Sequence, residues 1–281
     1  MIQRLKKEEF PQLLHEIEDP PTSLFMRGTL PPLEYKLLTV VGSRRMSRYG
    51  KDACEYLIKG LAGFPVAIVS GLALGIDGVA HKAALEVGLT TIGVPGSGLN
   101  DTALYPRAHV RLAHDILEKG GALISEMEPD ASATPYSFPK RNRLMAGMSH
   151  ATLIVEAGVK SGTLITARLA TDYNRDLLIV PHSIFSDGGA GGHLFMKLGA
   201  KAIRSAADIL ETLGIENNET EHDISLTSDE SRVIEFLREP LPRDELIRSL
   251  SMHIGDANVL LASMELRGLI TESLGEVRKL I

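Results

Sequence analysis

The sequence contains a single cysteine and no long hydrophobic run. Cys54 is the one cysteine among 281 residues, which excludes an internal disulfide and any zinc site built from several cysteines. Its apolar, helix-patterned surroundings predict a buried thiol. No apolar run approaches the roughly 20 residues that cross a bilayer, and the first ten residues lack the hydrophobic segment of a secretory signal. We therefore expect a cytoplasmic protein with no membrane insertion.

The chain has no overall excess of positive charge, and its charges are unevenly distributed. The net charge is −6, yet residues 1–215 carry 23 Lys and Arg against 22 Asp and Glu. Residues 216–223 contain four acids and no Lys or Arg, and residues 224–281 contain seven basic and ten acidic residues. Since net charge is a poor guide to a local field, the acidity of the C-terminal part does not exclude a nucleic-acid partner.

Six short apolar runs rich in Val, Ile and Leu alternate with longer segments of helical period. The length and the 44% hydrophobic content allow one large core and a second, smaller one. Continuous hydrophobicity indicates strands that are buried on both faces, and the alternation indicates parallel crossovers. This pattern predicts an α/β fold, an extended Rossmann-like parallel sheet domain over residues 35–215. The predicted strands are residues 37–42, 65–71, 89–94, 121–127, 151–157 and 176–181.

Three further regions surround this domain. Residues 1–34 hold one weak helix and a proline-punctuated stretch, which predict an irregular N-terminal arm. Residues 216–223 lack an apolar period and indicate an acidic linker. Residues 224–281 contain three helical patterns and a terminal stretch suited to a hairpin, so they predict a small winged-helix domain.

The first candidate binding motif is the turn that follows the first strand of the sheet. In open α/β sheets, ligands bind beyond the carboxyl ends of the strands. Gly42 lets the backbone approach an anion, Ser43 offers a hydroxyl, and Arg44 and Arg45 supply guanidinium groups beside a helix start. These residues favour a phosphate site over a plain strand-to-helix connection.

The second candidate is the run FPKRNR, with three cations in four residues. Lys140, Arg141, Asn142 and Arg143 form either a phosphate-binding surface or an ordinary solvated face. Phe138 is positioned to stack a base, as in binders of single strands, or to pack in the core.

Two further strand ends carry small and polar residues. Ser161, Gly162 and Thr163 precede a helix, where they act as phosphate ligands or as a simple cap. Ser70 and Gly71 end another strand and are included in the same phosphate-binding edge.

Asp77 and His81 lie four residues apart on one predicted helix face. That spacing suits an acid/base pair, but an Asp at a helix start is more often a cap or dipole partner. No further His or carboxylate stands at metal-ligand spacing. We expect no catalytic residue, no metal site and no cofactor.

The motifs together resemble the DprA/Smf family of DNA-processing proteins. The matching stretches are VGSRRMSRYG, SGLALGIDGVAHKAAL, GSGLN, GALISEM, FPKRNRLMAGMS and VEAGVKSGTLITARLA, in the family's order across residues 37–203. The resemblance implies a non-catalytic, homodimeric protein that binds single-stranded DNA on its basic edge. It also implies protection of incoming DNA and loading of the recombinase RecA during natural transformation.

The resemblance assigns roles to individual residues. Arg44 and Lys140 correspond to the main DNA-contacting cations, whereas Arg45 and Arg141 are either further phosphate-binding residues or solvated neighbours. The surrounding anion pocket would comprise Gly42, Ser43, Arg143, Ser161 and Gly162.

The chain departs from the family pattern in the last third of the sheet edge. Asn174 stands where Gly is usual, His182 where Gly follows Pro, and His193 ends a Gly-Gly-His triplet that is usually Gly-Thr/Ser-Asn. The resemblance therefore predicts least about the pocket at this part of the sheet edge.

Two other functions fit parts of the sequence. Glu156 together with residues 161–163 echoes the turn of Rossmann-like phosphoribohydrolases, although the Pro-Gly-Gly portion is missing. A transcription regulator would use the winged helix to bind duplex DNA. The presumed recognition helix, however, carries one cation, Arg267, and two acidic residues, Asp256 and Glu265. Helices that enter the major groove normally carry several basic or amide side chains. We therefore expect residues 224–281 to contact protein or to regulate.

Overall fold

The structure, a computed structural model, describes residues 1–216, 226–273 and 275–279. The chain divides into two compact units, Met1–Asn217 and Asn218–Ile281, here called the N-terminal and C-terminal units. The predicted acidic linker, residues 216–223, lies outside the described residues except for Glu216. None of the helices in these described ranges has the length and apolar composition of a bilayer span.

A mostly parallel sheet forms the centre of the N-terminal unit. Its strands are β1 (Ile2–Leu5), β2 (Leu24–Gly28), β3 (Lys36–Val41), β4 (Val66–Ser70), β5 (Thr91–Gly93), β6 (Ala122–Ser125), β7 (Ala151–Ile154), β8 (Asp176–Ile179) and β9 (Lys201–Ala202). They lie in the order β1-β2-β6-β5-β4-β3-β7-β8-β9. Strands β3 to β9 pair in parallel with one another, and the six predicted runs correspond to β3 to β8. The predicted α/β fold is confirmed.

Helices cover both faces of this sheet. They are α1 (Arg48–Lys59), α2 (Ile76–Glu86), α3 (Val110–Glu118), α4 (Ser137–Met148), α5 (Thr163–Asp172), α6 (Ala190–Lys197) and α7 (Ala206–Leu213). Leu144 of α4 and Ala167 of α5 belong to the core on one face, and Leu57 of α1 and Ala80 of α2 belong to the core on the other. Strands buried from both sides explain the continuous apolar runs.

The N-terminal arm is more regular than the sequence predicts. Strand β1 pairs with β2, and β2 pairs with β6, both antiparallel, so the arm extends the sheet at its edge. Leu24 and Met26 are buried in the main core. The prolines that obscure this strand, at residues 20–21 and 31–32, flank β2 without interrupting it, which is where proline is tolerated beside a strand.

The strand order places a topological switch point beside β3. Strand β3 pairs with β4 on one side and with β7 on the other, and the chain continues outward in both directions. The segments that leave β3 and β7 therefore diverge and leave a crevice at the carboxyl edge, which is where α/β sheets bind ligands. The Thr163 hydroxyl donates to the Gly42 carbonyl at 3.1 Å and ties the two segments together.

The C-terminal unit contains three helices and a small antiparallel sheet in its described residues. Its elements are α8 (Ser228–Phe236), β10 (Leu241–Pro242), α9 (Arg243–Leu250), α10 (Ile254–Leu266), β11 (Ile270–Ser273) and β12 (Glu276–Lys279). The sheet order is β10-β12-β11. Val233, Leu246, Leu261 and Val277 meet in its own core. The predicted winged-helix fold is confirmed.

Candidate nucleic-acid interface

An open cavity of 540 Å³ lies at the switch point. We call it the switch-point cavity. It brings together the turn at residues 42–45, the run FPKRNR at residues 138–143 and residues 161–163, which are far apart in the sequence. The predicted site residues that line it are Gly42, Ser43, Arg44, Arg45, Phe138, Arg141, Asn142, Ser161, Gly162 and Thr163.

The turn between β3 and α1 is held in place by a buried carboxylate. Glu156, which is buried at the end of β7, accepts hydrogen bonds from the Ser47 amide at 3.0 Å and the Ser47 hydroxyl at 2.6 Å. Ser47 in turn caps α1 by accepting from the Gly50 amide. Gly50 leaves room for the carboxylate, because a Cβ there would lie 2.2 Å from Glu156 Oε2. The turn is thus fixed while its outer face stays open beside the positive end of the α1 dipole.

Arg44 projects from this turn and is exposed. Its guanidinium carbon lies 5.1 Å from the centroid of the Phe138 ring, within cation–π range. Phe138 is half-buried and packs on Gly96, where a Cβ would be 2.6 Å from the ring. The aromatic ring therefore holds the Arg44 guanidinium at the cavity without neutralising it.

Arg141 is a buried cation in the cavity wall and not the solvated neighbour that the sequence suggests. It is 7% exposed, and its Nη1 donates to the carbonyls of Gly71, at 2.6 Å, and Val94. Burial lowers the pKa of Arg141 to about 10, so the guanidinium stays protonated at neutral pH. Gly71 makes room for this guanidinium, because a Cβ there would lie 1.9 Å from Arg141 Nη1.

Asp77 lies at the same wall. Its carboxylate accepts from the amides of Gly71, at 3.0 Å, and Ala73, at 3.4 Å. Burial raises the pKa of Asp77, and the charge of Arg141 and the two amides oppose that shift. Asp77 therefore orders the segment after β4.

Arg143 and Ser70 are not available to an anion, which corrects two predictions. Arg143 is buried, its Nη2 donates to both carboxylate oxygens of Glu126 at 2.7 Å, and its Nη1 donates to the Asp19 carbonyl. The run FPKRNR lies within α4, so residues two apart point in different directions and only part of the run faces the cavity. The Ser70 hydroxyl is fully buried and donates to the Val40 carbonyl at 2.6 Å.

Lys140 lies outside the switch-point cavity. Its side chain is 63% exposed, and its ammonium lies 3.4 Å from Glu126 Oε2. It lines a neighbouring cavity together with Glu126 and Arg141. The two main cations implied by the resemblance, Arg44 and Lys140, therefore belong to two adjacent cavities.

Sequence comparison identifies the family. Residues 2–214 match the family described as DNA recombination-mediator protein A, and residues 218–275 match the DprA winged helix domain. The chain belongs to this family of DNA-processing proteins. The predicted resemblance is confirmed.

Named relatives support the assignment. The chain is 45% identical to protein Smf of Escherichia coli over 206 residues, which cover 73% of this chain and 54% of that protein, so it spans about half the length of that relative. It is 40% identical to DNA processing protein DprA of Streptococcus pneumoniae over 201 residues, covering 72% of this chain and 70% of that one.

Two solved structures share the fold. The DprA structure from Streptococcus pneumoniae aligns with a TM-score of 0.70 and 37% identity over 75% of this chain and 74% of its own. A structure of DNA processing protein A from Helicobacter pylori, described for its single-stranded DNA binding mode, aligns with a TM-score of 0.66 and 29% identity over 76% of this chain and 95% of its own.

One cation of the cavity lining was not among the predicted site residues. Lys160 is exposed and lines the switch-point cavity on the segment that leaves β7. The interpretation of this segment relied on its small hydroxylated residues. Ser161 and Thr163 do serve as local structure, since Ser161 Oγ accepts from the Thr163 amide. A lysine directly before a small-residue helix start was the signal that could have identified this cation.

Asp77 and His81 do not form a pair with each other. The His81 ring shares a 2.7 Å hydrogen bond with the Thr91 hydroxyl, and burial lowers the pKa of His81 to about 3. The ring is therefore neutral and structural. Across the described ranges, no three His, Cys, Asp or Glu side chains are grouped to hold a metal ion.

The three departures from the family pattern have local structural accounts. Asn174 has a φ of 54°, a left-handed conformation that Asn adopts more readily than most residues, so it replaces Gly there at modest cost. His193 Nε2 lies 3.1 Å from the His182 carbonyl, and the buried His182 ring lies 4.0 Å from Glu156. His193 therefore contacts the segment that carries His182, and the His182 ring lies beside the carboxylate that supports the turn between β3 and α1.

Proposed function

We propose that this protein binds single-stranded DNA in the switch-point cavity, without catalysing a reaction on it. The observation that carries the proposal is the convergence of Arg44, Lys160 and the buried Arg141 on one cavity at the carboxyl edge. Among the described residues, neither Arg44 nor Lys160 forms an ion pair with a carboxylate within 4 Å. The single-strand binding described for the Helicobacter pylori relative supports the same ligand.

The chemistry of the cavity suits successive phosphates. Arg44 offers a planar fork, Lys160 a point charge, and the starts of α1 and α5 contribute the positive ends of helix dipoles. Contacts of this kind hold the backbone and do not discriminate bases, so binding should be salt-dependent and tolerant of sequence. Phe138 offers an aromatic face of the kind that stacks a base.

A non-catalytic role fits the same lining residues. Within the described part of the chain, Asp77 carries the one carboxyl group that lines the cavity, and it is engaged by backbone amides. General acid/base chemistry needs a group that can exchange its proton with a bound substrate. Incubation with nucleoside monophosphates should therefore release no free base, and release of base would contradict this assignment.

A binding titration tests the proposal directly. Arg44→Ala and Lys160→Ala should each weaken binding of a fluorescent oligothymidylate by about tenfold, consistent with roughly 1.5 kcal/mol for one charge-assisted contact. Lys140→Ala tests the cation of the neighbouring cavity. Arg111→Ala is the matched control, because Arg111 is exposed on α3 and paired with Asp115 at 2.9 Å. Undiminished binding by both cavity variants would exclude this site.

We further propose that the protein acts in the cytoplasm as a homodimer that protects incoming DNA and helps load RecA during natural transformation. Membership of the family supports this role. One cavity of 540 Å³ covers only a few nucleotides, and a dimer would join two such sites. Sedimentation of the protein with and without an oligonucleotide measures the dimer, and RecA filament formation in its presence measures loading. A protein that stays monomeric and does not accelerate filament formation would contradict this role.

The C-terminal unit is proposed to contact protein or to regulate. The presumed recognition helix α10 exposes Ile254, Val259 and Leu266, an apolar surface unsuited to phosphates. Removal of residues 218–281 should leave single-strand affinity within about threefold, since no phosphate-binding cation is lost. Loss of binding on this truncation would overturn the proposal.

A further inference from the structure

A second cavity lies on the other side of the first turns of α4. It has a volume of 240 Å³, and we call it the α4 cavity. It shares Arg141 with the switch-point cavity, so one helix separates two adjoining sites. The lining residues that matter here are Glu126, Met127, Tyr136, Lys140, Arg141 and Leu144.

The walls of the α4 cavity suit a planar neutral group. Met127 and Leu144 provide apolar contacts, and Tyr136, which is 87% exposed, offers a free aromatic face at the rim. An apolar protein cavity of about 150 Å³ is large enough to bind benzene. The α4 cavity therefore has room for a heteroaromatic ring.

The same cavity is less suited to a phosphate than the switch-point cavity, because the Glu126 carboxylate lies beside its two cations, Lys140 and Arg141. The Glu126 carboxylate lies in its wall, where both oxygens accept from Arg143 and one also faces Lys140. A phosphate placed beside this carboxylate would meet a like charge. Lys140 differs from the buried Arg143 because its side chain is 63% exposed.

We propose that the α4 cavity receives one nucleobase of the strand whose phosphates occupy the switch-point cavity. This inference rests on the proposed function. The strand crosses the start of α4, the base enters between Met127 and Leu144 and stacks on Tyr136, and Lys140 contacts the adjoining phosphate. Glu126 accepts hydrogen bonds at the cavity wall and keeps phosphates out. This path explains why Arg44 and Lys140 face different cavities.

The experiment compares two strands with the same phosphates. One is a short oligothymidylate, and the other carries an abasic sugar at every position. Tyr136→Ala should weaken binding of the oligothymidylate by about fivefold or more, the lower end of what one stacked base contributes, and should leave the abasic strand unchanged. Tyr136→Phe keeps the ring and should restore binding. Tyr56→Ala, on an exposed tyrosine of α1, should alter neither affinity.

The outcomes separate the subsite from the proposed function. If the unaltered protein binds neither strand, both the proposed function and the subsite are wrong. If it binds the oligothymidylate but Tyr136→Ala weakens both strands equally, or neither, the α4 cavity takes no base. A Tyr136→Ala variant that keeps both affinities but loses RecA loading would assign the cavity to a protein side chain and overturn the inference. Urea unfolding of the variant shows whether its fold is intact.

Discussion

The cations of the two units differ in what they contact. At the carboxyl edge of the N-terminal unit, Arg44 and Lys160 are exposed, and neither forms an ion pair within the described residues. In the C-terminal unit, Arg243 contacts Glu272 and Asn258, and Arg267 contacts Glu230. A count of charges does not reveal this difference. Whether a cation can bind phosphate depends on how exposed it is and on whether a carboxylate already holds it.

Helix α4 repeats the same contrast over a few residues. Lys140 is exposed, Arg141 lies in a cavity wall, and Arg143 is fully engaged by Glu126 and Asp19. Three cations within four residues therefore have three roles, because successive positions on a helix turn by about 100°.

The largest expected effect is that of removing the buried cation of the N-terminal unit. Arg141→Met keeps the length of the side chain but leaves the Gly71 and Val94 carbonyls without their donor and Asp77 without its nearby positive charge. Since breaking a buried charged network costs several kcal/mol, we expect the free energy of unfolding to fall by about 3 kcal/mol. Urea unfolding measures it, with Arg141→Lys as the variant that keeps the charge. If the Arg141→Met protein were as stable as the original, Arg141 would have no structural role.

The pH dependence of stability should also distinguish the two units. Burial lowers the pKa of His81 in the folded N-terminal unit to about 3, below its ordinary value of 6.5. As the pH falls below 6.5, the unfolded chain binds a proton that the folded unit does not, so stability is lost by up to about 1.4 kcal/mol per pH unit. Urea unfolding between pH 7 and 5 should show about 2 kcal/mol of loss, reduced in His81→Gln. In the described part of the C-terminal unit, His253 is exposed, so equal losses in both units would contradict this assignment.

The smallest effect is expected for a paired arginine of the C-terminal unit. Arg243→Ala removes partly exposed contacts to Glu272 and Asn258, and should lower the stability of this unit by about 0.5 to 1 kcal/mol. Its affinity for single-stranded DNA should stay within about twofold of the original, since no free cation is removed. Thermal unfolding and the same titration used for Arg44→Ala measure both. A tenfold loss of affinity would place the binding surface on the C-terminal unit as well.

Much of the fold could be predicted from the sequence, because parallel strands buried on both faces leave continuous apolar runs. The same pattern located Gly42 to Arg45 and residues 161–163 at one edge. The N-terminal strands were not predicted, because the prolines that bound β2 resemble those of an irregular segment. The roles of Arg141 and Arg143 depend on carbonyls and carboxylates contributed by distant residues, and no local pattern contains that information.

The most direct test of phosphate binding at the switch-point cavity is the salt dependence of single-strand affinity, measured for the unaltered protein and for the double variant Arg44→Ala/Lys160→Ala. If the cavity neutralises three to four phosphates, the plot of log affinity against log salt should have a slope of roughly −2 to −3 for the unaltered protein. The double variant should show a slope shallower by roughly 1.4, from about 0.7 for each lost phosphate contact. The same slope for both proteins would show that these cations do not hold the strand.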